Sequence, residues 1–157
     1  MKKLSPLPES RGFTLIELMI VVAVIGILLA IAVPNYQEYI LRSKLLDAGS
    51  SLAQLRVNLE QYFQDNRSFD ANPATPAGTC GVIVTGSNSK YFTYTCATGN
   101  IGQTFLITAT GVAGGGTGSF GFTIDQSNNR VTTGLPTGWA ASTPATCWVT
   151  AKGQASC

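Results

Sequence analysis

The 157-residue chain contains no histidine, which removes the general base of any Ser-His-Asp or Cys-His arrangement. Charge is scarce as well. Asp, Glu, Lys and Arg make up 11% of the residues, ten basic against eight acidic, for a formal net charge of +2. From Ala71 to Cys157 the only acid is Asp125 and the only cations are Lys90, Arg130 and Lys152. The acids beyond the N-terminal apolar run, Glu38, Asp47, Glu60, Asp65, Asp70 and Asp125, fall mostly on helical sequence with solvated neighbours. A catalytic carboxylate pair has little to stand on there, so an enzyme is not expected, and no cofactor is implied. A C-terminal half rich in Gly, Thr and Ser and nearly free of charge suits a subunit packed among copies of itself.

What the chain does have is one long apolar run. Phe13 to Val33 is 21 residues interrupted by a single charge, Glu17. At about 1.5 Å per residue such a helix crosses a hydrocarbon core of roughly 30 Å. Lys2, Lys3 and Arg11 precede it, against one acid, Glu9, so the positive-inside rule keeps the N-terminus cytoplasmic and sends the chain beyond Pro34 outward. A secretory signal would carry a small-residue cleavage motif after its apolar region. Here the run passes directly into Pro34-Asn35-Tyr36-Gln37-Glu38 with its helical patterning intact, which predicts that it is retained.

The junction Gly12-Phe13-Thr14-Leu15-Ile16-Glu17-Leu18-Met19-Ile20-Val21-Val22 resembles the processing site of type IV prepilins. In that family a dedicated peptidase cuts after the glycine and methylates the new N-terminal amine. The resemblance places the cut between Gly12 and Phe13 and the methyl group on Phe13. It implies a leader over 1–12, a transmembrane and assembly half over 13–34 and an exported domain over 35–157. Removing Lys2, Lys3, Arg11 and Glu9 with the leader leaves seven cations and seven acids, a formal charge of zero. The partners implied are other pilins and further copies of this chain, the prepilin peptidase and the assembly machinery of the bacterial inner membrane. The implied location is that membrane first and an extracellular pilus afterwards.

Taken alone, Glu17 is open to two readings. A charge near a bilayer centre costs about 2.5–3.5 kcal/mol on insertion scales. As a helix-end carboxylate one turn inside the span it would simply reach toward the headgroups. As an assembly residue it would pair in trans with the Phe13 amine of a staggered neighbour, and the resemblance implies this second reading. Pro34 lacks an N–H and crowds the carbonyl four residues back, which predicts a kink; Gly26 weakens the segment between them. By resemblance Gly26 to Pro34 unwinds when the subunit passes from membrane to filament.

Beyond the span, Leu41, Leu45, Ala48, Leu52, Leu55, Leu59 and Tyr62 step alternately by four and three, drawing one apolar stripe along a helix that Asp65-Asn66 and the following Asn-Pro and Thr-Pro steps end. Arg42, Lys44, Asp47, Arg56 and Glu60 lie off the stripe. Alternation then predicts strands around Phe92-Tyr94-Cys96, Phe105-Ile107-Ala109 and Phe120-Phe122-Ile124, and Ser127-Asn128-Asn129 marks a hairpin before Arg130-Val131-Thr132. Gly111 to Gly118 has no Gly-Lys-Ser/Thr ending and precedes a strand, so it reads as a flexible turn rather than a phosphate loop. The fold class expected is α+β: a long N-terminal helix, its second half packed on an antiparallel sheet of about four strands, as in pilins.

Four cysteines in an exported, oxidising location favour disulfides over zinc, which would need closer C-x-x-C spacing. Three pairings are open. The local one, Cys80 with Cys96 and Cys147 with Cys157, closes loops of 15 and 9 intervening residues and is the one expected. The resemblance makes Cys147 to Cys157 a C-terminal loop on the filament surface, where Trp139 and Trp148 are either apolar anchors of a contact surface or core. Two further functions compete with a pilus subunit. A secretion pseudopilin shares the N-terminal motif, but the absence of acids from Gln126 to Cys157 tells against that family's calcium site. A tip-located module binding DNA or a surface would use Lys90 with Tyr91 and Phe92, Arg130, and Lys152 near Trp148. Three cations are few for nucleic acid, and solubilising charges are the expected reading.

Overall fold

The computed structural model describes residues 12–72, 78–82, 90–139 and 146–154. Two compact units make up the chain, Met1–Glu38 and Tyr39–Cys157. One helix, α1, spans Leu15–Asn66 with Gly26 and Pro34 inside it. Thr14 starts it. Its carbonyl accepts the Leu18 N–H at 3.2 Å and its hydroxyl accepts the Glu17 N–H at 3.3 Å, satisfying amides that a helix N-terminus would otherwise leave bare. Between Phe13 and Val33 the large apolar side chains are 48–84% exposed, so within its own unit nothing covers them.

In the second unit the expected stripe is buried: Leu45, Ala48, Leu52, Leu55 and Leu59 are at most 7% exposed, with Leu41 half-buried at one end. Each buried leucine contributes about 1.5–3 kcal/mol. Against them pack the inward positions of a four-stranded antiparallel meander in the order β1 (Phe92–Gly99), β2 (Thr104–Gly111), β3 (Gly121–Asp125), β4 (Arg130–Gly134). Phe92 and Tyr94, Phe105, Ile107 and Ala109, and Phe122 and Ile124 belong to the same core as the helix stripe. The register pairs like faces across the sheet, Tyr94 with Ala109 and Ala109 with Phe122, which is why strict alternation in sequence becomes one continuous apolar face. The four strands and the α+β class agree with the sequence reading, and the first strand runs three residues past Cys96.

The glycine-rich stretch between β2 and β3 is a pinned turn rather than a flexible one. A short 3₁₀ helix covers Ala113–Gly115, Gly116 takes a left-handed conformation at φ 76°, and fully buried Thr117 donates its hydroxyl to the Tyr91 carbonyl. Composition suggested freedom; one buried hydroxyl removes it.

Beyond α1, the described residues 67–72 and 78–82 form a hook along the outer edge of β1. Thr79 bridges Ala97 and Asp70 bridges Cys80, and the Cys80–Cys96 disulfide, with Cα atoms 5.8 Å apart, ties the hook to the strand. Asp70 corrects the sequence reading: instead of lying among solvated neighbours it is fully buried beyond the helix. Its carboxylate accepts the N–H of Asn72 at 3.0 Å, the N–H of Gly78 at 2.9 Å and the Thr98 hydroxyl at 2.7 Å. A carboxylate leaves water at this position because donors such as these replace its hydration.

Candidate functional site

Two surfaces carry features that packing alone does not require. The first is the N-terminal half of α1. Gly12 and Phe13 lie just ahead of the helix, with Phe13 84% exposed, and a Cβ on Gly12 or Gly26 would meet nothing within 4 Å. Glu17 sits in the first turn, the third residue after Thr14. Thr14-x-x-Glu17 is the sequence signature of a capping box, a signal the sequence reading passed over. A carboxylate in the first turn also meets the positive end of the helix dipole, worth about 0.3–1 kcal/mol. That explains how Glu17 is tolerated at the helix end without deciding what it pairs with in an assembly. The helix runs through Gly26 and Pro34 without a break in its secondary structure.

The second surface is cationic. Lys44 crosses from α1 to donate its ammonium to the Gly115 carbonyl at 2.9 Å and lies 4.5 Å from the centre of the Tyr91 ring. Lys90 lies 5.8 Å from the same ring. Two cations over one electron-rich ring are each attracted to it, and among the described residues neither has an acidic partner. Elsewhere on the domain, exposed Arg130 at the start of β4 holds its guanidinium 4.8 Å from the Trp148 ring. The single ion pair among the described residues joins Arg56 to Glu60 on the helix, with Arg56 also reaching the Gln126 carbonyl at 3.4 Å.

These contacts rearrange the candidates drawn from sequence. Lys90 and Tyr91 do come together, but Phe92 is 1% exposed and belongs to the core, because it points to the helix side of β1. Arg130, not Lys152, is the cation held by Trp148. Trp139 is core, 8% exposed and edge-on to Phe120 at 4.8 Å between ring centres. Lys44 was missed, since its spacing on the helix marks only an off-stripe residue; the partner that singles it out is some 70 positions away. Of the expected disulfides, Cys80–Cys96 is formed. The expected Cys147–Cys157 pair falls outside the described residues, because Cys157 does.

Comparison with known proteins gives these surfaces a context. The family described as prokaryotic N-terminal methylation motif matches residues 8–33, and the family described as type IV minor pilin ComP, DNA uptake sequence receptor, matches residues 34–121. The type IV major fimbrial protein FimA of Dichelobacter nodosus is 49% identical over 78 residues, covering 50% of this chain and 45% of that protein. The fimbrial protein EcpC of Eikenella corrodens is 42% identical over 81 residues, covering 52% and 50%. The fimbrial protein of Moraxella nonliquefaciens is 46% identical over 81 residues, covering 51% of each. The chain thus spans about half the length of the curated relatives it matches. Among solved structures, a type IV pilin from Shewanella oneidensis aligns with a TM-score of 0.44 at 16% identity, over 57% of this chain and 88% of that one. With an N-terminal methylation motif leading into a match that covers more than half of its residues, the chain belongs to the type IV pilins, in the family of the minor pilin ComP.

Proposed function

We propose that the chain is a subunit of a type IV pilus. It is released from its leader by cleavage after Gly12, carries a methylated Phe13, is held in the bacterial inner membrane by residues 13–34, and is then extracted into a filament with 35–157 outside. The observation that carries this reading is the uncovered apolar segment from Phe13 to Val33, whose large side chains are 48–84% exposed. Such a surface is stable in lipid or against copies of the same helix, and nowhere in between. Glu17 would pair with the Phe13 amine of a neighbouring subunit, and Gly26 to Pro34 would supply the segment that unwinds on extraction. The role is structural, with other pilins, the prepilin peptidase and the membrane assembly machinery as partners. The ComP-family match favours a pilin over a secretion pseudopilin. Mass spectrometry of filaments sheared from producing cells tests the reading: peptides of this chain beginning at methylated Phe13 support it, and absence of the chain from the filaments refutes it.

A second reading has its own support. The matched family is named for a receptor of DNA uptake sequences, and Lys44, Lys90 and Arg130 are cations held on aromatic rings without acidic partners among the described residues. The subunit would then contact DNA phosphates through these groups. A mobility-shift titration of the full-length chain in neutral detergent with duplex DNA decides: a shift that weakens as salt rises supports the reading, and no shift at low salt removes it.

A further inference from the structure

We propose that Trp148 is a positioning residue that fixes the Arg130 guanidinium for a DNA phosphate, so that the C-terminal segment sets nucleic-acid affinity through β4. This rests on the DNA-receptor reading and extends it to a residue that touches no nucleic acid itself.

Trp148 is fastened on several sides. Its indole N–H donates to the Thr123 carbonyl of β3 at 2.9 Å. The Cε3–Cζ3 edge of its ring lies against Gly49 of α1, where an added Cβ would come within 3.2 Å of it. Both flanking residues are stitched to β4 by one hydroxyl: Thr132, fully buried, donates its Oγ1 proton to the Cys147 carbonyl and accepts the Val149 N–H at 2.9 Å. A ring held in this way is a rigid platform. With its N–H committed to β3 and its ring shared between Gly49 and Arg130, it presents a fixed cation rather than a stacking surface for a base.

Arg130 is the complement of that rigidity. It is exposed, its Nε lies 3.4 Å from the Asn128 side-chain oxygen, and its terminal nitrogens have no ion pair among the described residues. The nearest acid in sequence, Asp125, is already engaged: its carboxylate accepts the backbone and side-chain N–H groups of Asn129 at 2.9 and 2.8 Å. A guanidinium that is neither neutralised nor free to swing loses little entropy on meeting a phosphate, and its planar fork suits two phosphate oxygens. Tyr91 repeats the device with Lys44 and Lys90, which identifies it as a way this domain orders cations.

The test uses the full-length chain in neutral detergent and fluorescently labelled duplex DNA, with affinity read by anisotropy over a range of salt. Arg130→Ala is expected to weaken binding and lower the magnitude of the salt slope by about one. Trp148→Leu is expected to weaken binding about two- to fivefold, and to have no effect when added to Arg130→Ala, because its contribution passes through that guanidinium. Trp148→Phe, which keeps a ring and the packing, is expected to give an intermediate loss with melting temperature little changed. Should Trp148→Leu fail to fold, the Phe variant decides. Unchanged affinity in the folded Trp148 variants, or losses that multiply in the double variant, would overturn the positioning role while leaving the DNA reading in place. No binding by the unaltered chain would overturn both.

Discussion

The Thr98 hydroxyl donates to the buried Asp70 carboxylate at 2.7 Å, joining β1 to the hook that follows the helix across 28 residues of sequence. With the amides of Asn72 and Gly78 on the same carboxylate, this contact sets where the hook lies on the sheet edge.

Asp70→Asn tests that clamp. The amide offers one acceptor oxygen in place of two and turns an NH₂ toward a donor, so the domain is expected to lose about 2 kcal/mol. A melt of the full-length chain in detergent, followed by near-ultraviolet circular dichroism, should fall by roughly 5–10 °C. An unchanged melt would show that the three contacts are dispensable.

The covalent tie beside it should matter at least as much. Replacing Cys80 and Cys96 together by Ser opens a link spanning 16 positions and is expected to remove about 3 kcal/mol. Non-reducing peptide mapping of the unaltered chain should recover Cys80 joined to Cys96 and Cys147 joined to Cys157; a crossed pair would contradict the local connectivity.

Processing depends on Gly12. If the peptidase accepts only a residue without a side chain before Phe13, Gly12→Val leaves an uncut, membrane-bound precursor and no filaments. Immunoblots of cell and sheared fractions read the outcome, and mature protein at normal levels from that variant would sink the assignment.

Glu17→Val separates insertion from assembly. Removing the carboxylate relieves a bilayer cost of about 2.5–3.5 kcal/mol and gives up only about 0.3–1 kcal/mol of helix-end stabilisation, so the variant should insert and mature normally. In a filament it would leave the Phe13 amine unpaired in a water-poor core, at a cost of about 3–5 kcal/mol per subunit. Mature protein in the membrane with few surface filaments is therefore expected when the variant is the sole copy. Filament yield equal to wild type would leave Glu17 as a capping residue and nothing more.

Sequence alone determined the elements whose signal is periodic or contiguous. The apolar run, the stripe from Leu45 to Leu59 and the alternation in β1 to β3 are local patterns, and burying one face admits few other arrangements. The N-terminal motif was legible for the same reason, being a contiguous string. The tertiary structure decided what depends on residues far apart in the chain. Asp70 and Asp65 are both acids near a helix end, yet only Asp70 is buried, because Gly78 and Thr98 arrive to replace its water. Phe92 and Tyr91 are adjacent, yet Phe92, the first residue of β1, is buried in the core while Tyr91, just ahead of the strand, is only partly buried and holds two lysines on its ring. Trp148 and Arg130 are 18 positions apart and carry no mutual pattern, so it is the stitching of the C-terminal segment to β4 by Thr132 that makes them a pair. Periodicity specifies which face of an element is apolar; which polar groups meet across the finished core is set by packing, and packing is not a local property of the chain.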